Sequence, residues 1–135
     1  MYKSASQRGR AAKNKGKRGE REAADALNTV LGLEPKTLHR SQQFCGKSGD
    51  ADVVGIEGLH IESKRQETLS LYAAMGQAVS DCKPGSIPVV MHRRNHKKWL
   101  LIVEVENLVD LVRVLQKTSP LLPRKVTRRV PIASQ

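Results

Sequence analysis

Three residues stand at a spacing that could do chemistry: Asp52, Glu62 and Lys64. Glu62 and Lys64 are two apart, so on an extended strand both side chains leave the same face. Asp52 lies on the far side of a Glu57-Gly58 turn, which would bring it alongside them. Two carboxylates held by rigid neighbouring backbone make a site for a hard divalent cation such as Mg²⁺ or Mn²⁺, with waters and a substrate phosphate completing the shell. A lysine on that face could orient a metal-bound water or neutralise charge on a pentavalent phosphorus. The chemistry expected is attack on a phosphodiester. The same spacing also suits an exposed strand on which Glu and Lys flank one inward residue, so the surrounding elements have to decide.

Those elements follow from pattern. In 52–56 a short β-branched run precedes the turn. In 59–65 Leu59, Ile61 and Ser63 alternate with His60, Glu62 and Lys64, so the two runs form a hairpin. Upstream, Ala23, Ala24, Leu27, Val30 and Leu31 recur at helical spacing, which predicts a helix over 17–31 stopped at Gly32. Residues 36–43 fit a strand and 44–50, with two glycines, a loop. Residues 69–82 read as a helix with Leu69, Ala73, Met75 or Gly76, and Val79 on one side, ended by Pro84-Gly85. An apolar strand over 86–93, a turn over 94–98, a strand over 99–105 and a helix over 106–117 complete the order. Alternation of this kind predicts an α/β fold, a central mixed β-sheet flanked by helices.

Composition sets the partner. The 135 residues carry 24 Lys and Arg against 13 Asp and Glu, a net charge of +11, which draws polyanions, nucleic acid first. One Trp, two Tyr and one Phe are too few for an aromatic platform that stacks single-stranded bases. Residues 1–18 hold seven basic residues and no acid, a flexible basic arm by composition. The tail 118–135 holds three prolines, four basic residues and no acid, a loose basic extension. Residues 19–117 remain as the folded domain. Arg8, Arg10, Lys13, Lys15, Lys17 and Arg18 of the arm, Arg40, the hairpin tip Arg93, Arg94, Lys97 and Lys98, and Arg124, Lys125, Arg128 and Arg129 of the tail are expected to contact phosphates without reading sequence.

Other signals are weaker. Glu20 falls on the apolar stripe of the first helix, where a carboxylate needs a reason; an edge position or a local salt bridge is one, a share in the site another. His92 and His96 flank a turn rather than one helix face, and no cysteine joins them, so zinc is not indicated. Cys45 and Cys82 give neither a disulfide framework nor a zinc pattern. Lys47 to Asp52 lacks the spacing of a calcium loop. Without a signal peptide or a membrane-length apolar run, a cytoplasmic protein with no membrane partner is expected.

Asp52-Val53-Val54 followed on the next strand by Glu62-Ser63-Lys64, with a helix carrying Glu20 upstream, resembles the PD-(D/E)xK nuclease superfamily. Within it the chain is most similar to archaeal and phage Holliday junction resolvases and related small phage endonucleases. The resemblance covers roughly residues 17–110 and includes Gln77, at a position where many members carry a glutamine, and the strand pair in 88–103. Ala51 stands where the motif has proline, and both Ser41 and Ser48 match a serine of the family's first strand.

The resemblance implies a restriction-endonuclease-like core and a metal-dependent DNA endonuclease. Asp52 and Glu62 would ligate Mg²⁺ (Mn²⁺ substituting), with the Ser63 carbonyl as third ligand. Glu20 would hold a second metal or its water, Lys64 would position the attacking water, and Gln77 would support the site. The substrate implied is the four-way DNA junction, whose two-fold symmetry suits a homodimer built on the apolar helix 106–117. The alternatives are a less structure-specific nicking or duplex endonuclease, and a basic nucleic-acid-binding protein without activity.

Overall fold

The computed structural model describes residues 2–41 and 50–124. Along these run α1 (Ala5–Leu31), β1 (His39–Arg40), β2 (Val53–Val54), β3 (Leu59–Arg65), α2 (Leu71–Asp81), β4 (Ile87–Arg93), β5 (Leu100–Val103), a 3₁₀ turn (Val105–Asn107) and α3 (Leu108–Thr118). The strands form one five-stranded sheet in the order β1-β2-β3-β4-β5. β1–β2, β2–β3 and β4–β5 pair antiparallel, and β3–β4 parallel, with α2 as the crossover between those two. The mixed sheet with flanking helices is the expected α/β fold.

Three expectations need correction. Residues 5–18 are not a loose arm but the first half of α1. Ser4 accepts from the Gln7 N–H while the Gln7 side chain accepts from the Ser4 N–H, a reciprocal cap. The Ala, Arg, Lys and Gln residues that follow are good helix formers, so caps and propensity extend the helix where no packing does. Second, α2 is turned by about one residue. Ala74, Met75 and Ala78 are buried against Val90, while Ala73, Gly76 and Val79 face outward. Apolar residues surround this helix, and the stripe with two alanines can lie closest to the sheet. Third, the part of the expected strand 36–43 that lies among the described residues, 36–41, is a two-residue pairing, His39–Val54 and Arg40–Val53. The expected loop 44–50, with Cys45 and Ser48, falls outside the described residues except for Asp50, and Lys125, Arg128 and Arg129 lie outside them altogether.

Packing divides by sheet face. On one face α1 sets Ala23, Ala24, Leu27 and Leu31 against Val53, Ile61 and Met91, and α3 adds Leu111 over Ile87 and Val89. α2 covers the other face. Gly32 ends α1 in the left-handed region at φ 65°, as the sequence predicts. Asn28, buried in α1, then bridges to the chain entering β1: its Nδ2 donates to the Leu38 carbonyl and its Oδ1 accepts from the Leu38 N–H, both at 2.9 Å. This clip fixes the path that delivers Arg40 to the sheet edge. Gly19 is buried where α1 crosses β3; a Cβ there would lie 2.9 Å from Arg65 Cβ, so only glycine permits that approach.

Candidate active site

The hairpin brings the chemistry-bearing residues together by backbone register. Val53 pairs with Ile61, and the Asp52 N–H donates to the Ile61 carbonyl at 3.0 Å. Asp52 therefore sits one position outside the short β2, beside the middle of β3. The Ser63 N–H donates to Asp52 Oδ2 at 2.9 Å, which holds that carboxylate against the strand. Glu62 points to the α2 face and is only 4 % exposed. Its Oε1 lies 2.8 Å from His60 Nε2.

Burial and the nearby Asp52 charge push the Glu62 carboxyl up to about 8. Lys64 acts against this, and Asp81, at the end of α2, adds to it. Burial pushes the His60 imidazole down, opposed by Asp81, Asp52 and Asp50. The His60–Glu62 contact would be an ion pair only with His60 protonated; both shifts oppose that, so the pair is neutral near pH 7. His60 Nε2–H then donates to Glu62 Oε1. Two negative charges are costly side by side at this depth, which is why the Glu62 carboxyl is raised.

Lys64 leaves the same face as Glu62, and its Nζ donates to Gln77 Oε1 on α2 at 3.3 Å. The observed rotation of α2 is what presents Gln77 to it. Glu20 stands beside the pair rather than in it. Arg40 Nε donates to Glu20 Oε2 at 2.7 Å, while burial, and after it the Asp52 charge, raises the Glu20 carboxyl above its ordinary value against the pull of Arg40 and Lys17. Among the described residues no three His, Cys, Asp or Glu side chains gather as a metal-ligating group. Asp52 and Glu62 remain as a pair, which is a set that Mg²⁺ accepts when water and substrate phosphate supply the other ligands. The charge repulsion that raises Glu62 fits such an ion, since a cation bound there would relieve it.

Asp50 lines the approach with its Oδ2 buried and without a partner among the described residues, and its charge reaches His60. Glu57 is an exposed turn residue.

The basic residues fall in three places. Arg8, Arg10, Lys13 and Lys15 lie on the exposed half of α1, with Lys17 half-buried nearer the site. Arg94, Lys97 and Lys98 are exposed on the β4–β5 turn and, with Arg93 and His92, line an open cleft of about 410 Å³. Arg18 and Arg93 do not stand free but contact Glu22. His92 Nε2–H donates to the Gln66 carbonyl at 2.9 Å and is engaged with backbone rather than with His96.

Sequence reasoning gave no role to His60, Asp81 or Glu22. His60 had a signal, since alternation places it on the Glu62 face. Asp81 had only its place near a helix end, and Glu22 only its i,i+4 spacing from Arg18, because its other two partners come from β3 and β4. Set against family models, curated proteins and solved structures, the chain matches none of them.

Proposed function

We propose that this chain is a divalent-cation-dependent DNA endonuclease, with the four-way junction as its substrate, Mg²⁺ as its cofactor and Mn²⁺ as a substitute. The observation that carries the reading is a buried Glu62 beside a half-buried Asp52, with Lys64 and Gln77 on the same face. A surface ornament would not be buried, nor would it be short of positive charge inside a protein of net charge +11.

In this reading Asp52 and Glu62 hold the cation, with the Ser63 carbonyl beside them, and Glu20 adjusts the charge next to the pair through Arg40. When bound, the cation supplies charge neutralisation at the phosphate and acidifies water. Lys64, held by Gln77, orients the attacking water and faces the charge that develops on phosphorus. His60 fixes the orientation of the Glu62 carboxyl. The exposed basic half of α1 and the Arg94–Lys98 turn hold the flanking backbone without reading base sequence.

Two copies are proposed to work together. Leu108, Val109 and Val112 of α3, with Leu100, Leu101 and Val105 before it, are exposed apolar residues on one stretch of chain, a surface suited to a second copy. Light scattering at micromolar concentration is expected to give the dimer mass; the monomer mass would remove this part of the reading. Among the described residues no helix is long and apolar enough to cross a membrane.

The deciding assay incubates the protein with junction, nicked, flap and linear DNA, with Mg²⁺ and with EDTA. Cleavage of the junction in preference to linear duplex is expected. Equal cleavage of all four would make the chain a duplex or nicking endonuclease. Binding without Mg²⁺-dependent cleavage would make it a nucleic-acid-binding protein only.

A further inference from the structure

Glu22 collects three arginines from three elements. Its Oε1 lies 3.4 Å from Arg18 Nε on α1, and its Oε2 lies 3.0 Å from Arg65 Nε on β3 and 3.3 Å from Arg93 Nη1 on β4. Arg65 and Arg93 are partners in the parallel register, so their side chains leave the sheet next to each other. Gly19 lets α1 come close enough to put Glu22 between them.

The cluster is unbalanced. Three guanidiniums offer about fifteen N–H donors, and one carboxylate about four acceptor positions. Arg65 Nε is taken up by Glu22, but Arg93 Nε is buried without a hydrogen-bond partner among the described residues. The nearest other carboxylate on α1, Glu20, is engaged by Arg40. Arginines in excess over acid, with Arg65 and Arg93 half-buried and Arg18 exposed, and held by a common anchor, are arranged to accept a second anion, and a phosphate fits the planar fork of each guanidinium.

We propose that Arg18, Arg65 and Arg93, positioned by Glu22, form a clamp for one non-scissile phosphate of a DNA strand. The proposal rests on the nucleic-acid reading above but not on cleavage. The clamp lies on the α1 face of β3, one residue beyond Lys64, which leaves the opposite face. A strand passing the end of β3 would have the clamp on one side of the sheet and the Asp52–Glu62 pair on the other. Glu22 is a positioning residue here: it is of the wrong sign to meet a phosphate and serves by fixing the arginines.

That wrong sign makes the test decisive. Binding of a short fluorescent DNA duplex is measured in EDTA at several salt concentrations, with thermal unfolding in parallel. Arg65→Gln and Arg93→Gln are each expected to weaken binding about tenfold, and the double variant to lower the salt slope by about 1. Simple charge counting says that Glu22→Gln should bind DNA tighter, because a negative charge is gone. The clamp predicts the reverse, binding about threefold or more weaker. Wild-type or tighter binding by E22Q, or a loss of thermal stability with unchanged salt slope in the double variant, would reduce the cluster to a staple between α1 and the sheet. Should E22Q not fold, R93Q decides, since Arg93 lies at a strand end and is a quarter exposed. A wild-type protein that binds DNA by the clamp without cutting it overturns the nuclease reading alone; one that cuts while the arginine variants bind normally overturns the clamp alone; one that binds no DNA overturns both.

Discussion

Two carboxylates, Glu62 and Glu22, are buried or half-buried on opposite faces of the same sheet and meet opposite surroundings. Glu62 is pushed up to about 8 by its burial and then by the Asp52 charge. Glu22 has Arg18, Arg65 and Arg93 within 3.4 Å. One site has acid in excess and the other arginine in excess. The difference follows from strand alternation: Glu62 and Lys64 leave one face of β3 and Arg65 the other, so one residue step separates an acid-rich environment from an arginine-rich one. A basic protein needs both if it is to hold a polyanion and also lower the barrier to attack on it.

The sharpest way to break this contrast is to remove one acid from the first site. Asp52→Asn or Glu62→Gln is expected to lower Mg²⁺-dependent cleavage by more than about 100-fold, beyond what loss of an outer-shell partner does, while DNA binding in EDTA stays near wild type. Either variant cutting at the wild-type rate would end the assignment of the pair.

The same substitution has a second consequence, in stability. The folded chain keeps a proton on Glu62 up to about pH 8, where the unfolded chain has released it above its ordinary value of 4.5. Stability from this group is therefore complete below about 4.5 and is lost as pH rises through about 8. Glu20, raised in the same direction, adds to the trend. His60, lowered, acts in the opposite sense: the unfolded imidazole takes up a proton first, so its contribution falls away below its ordinary 6.5. Without metal, Glu62→Gln is expected to unfold ~3 °C or more above wild type at about pH 8 and to lose that advantage near pH 5. Mg²⁺ is expected to raise the wild-type midpoint at the alkaline pH and not that of E62Q. A wild-type midpoint independent of pH across this range would mean that the two carboxylates do not repel.

How much of this was legible depended on the range of the signal. The β2–β3 hairpin was readable because alternation and the Glu57-Gly58 turn are local, and alternation places Glu62 with Lys64. Gln77 was legible as a residue type near the motif, but not the helix face that presents it, because apolar residues surround α2 and only contact with Val90 selects Ala74, Met75 and Ala78. The helicity of 5–18 was missed since capping and propensity leave no apolar period to see. The Glu22 cluster was illegible: Arg93 is 71 positions away, and no spacing rule anticipates that Gly19 will let α1 approach Arg65. Asn28 and Leu38 illustrate the same limit, a polar residue buried by a partner that only the fold supplies.

The smallest effect separates the clustered arginines from the scattered ones. Arg8, Arg10, Lys13 and Lys15 project from the exposed half of α1, and none makes an ion pair among the described residues. Their charges hold nothing together, so replacing all four by Gln is expected to leave the unfolding midpoint within ~1 °C, a helix-propensity effect of a few tenths of a kcal/mol at most. Binding should change in a different way from that of the clamp variants. Each residue that reaches a phosphate contributes up to about 0.9 to the salt slope, and a single replacement is expected to weaken binding by about twofold at moderate salt, because exposed charges are screened over about 8–10 Å. A slope unchanged in the quadruple variant would mean that the projecting half of α1 does not meet the substrate, and would concentrate the electrostatic attraction in the Glu22 cluster and the Arg94–Lys98 turn. A slope lower by two or more, with an unmoved midpoint, would show that one continuous helix divides its work at Gly19: packing and positioning after it, long-range capture of the polyanion before it.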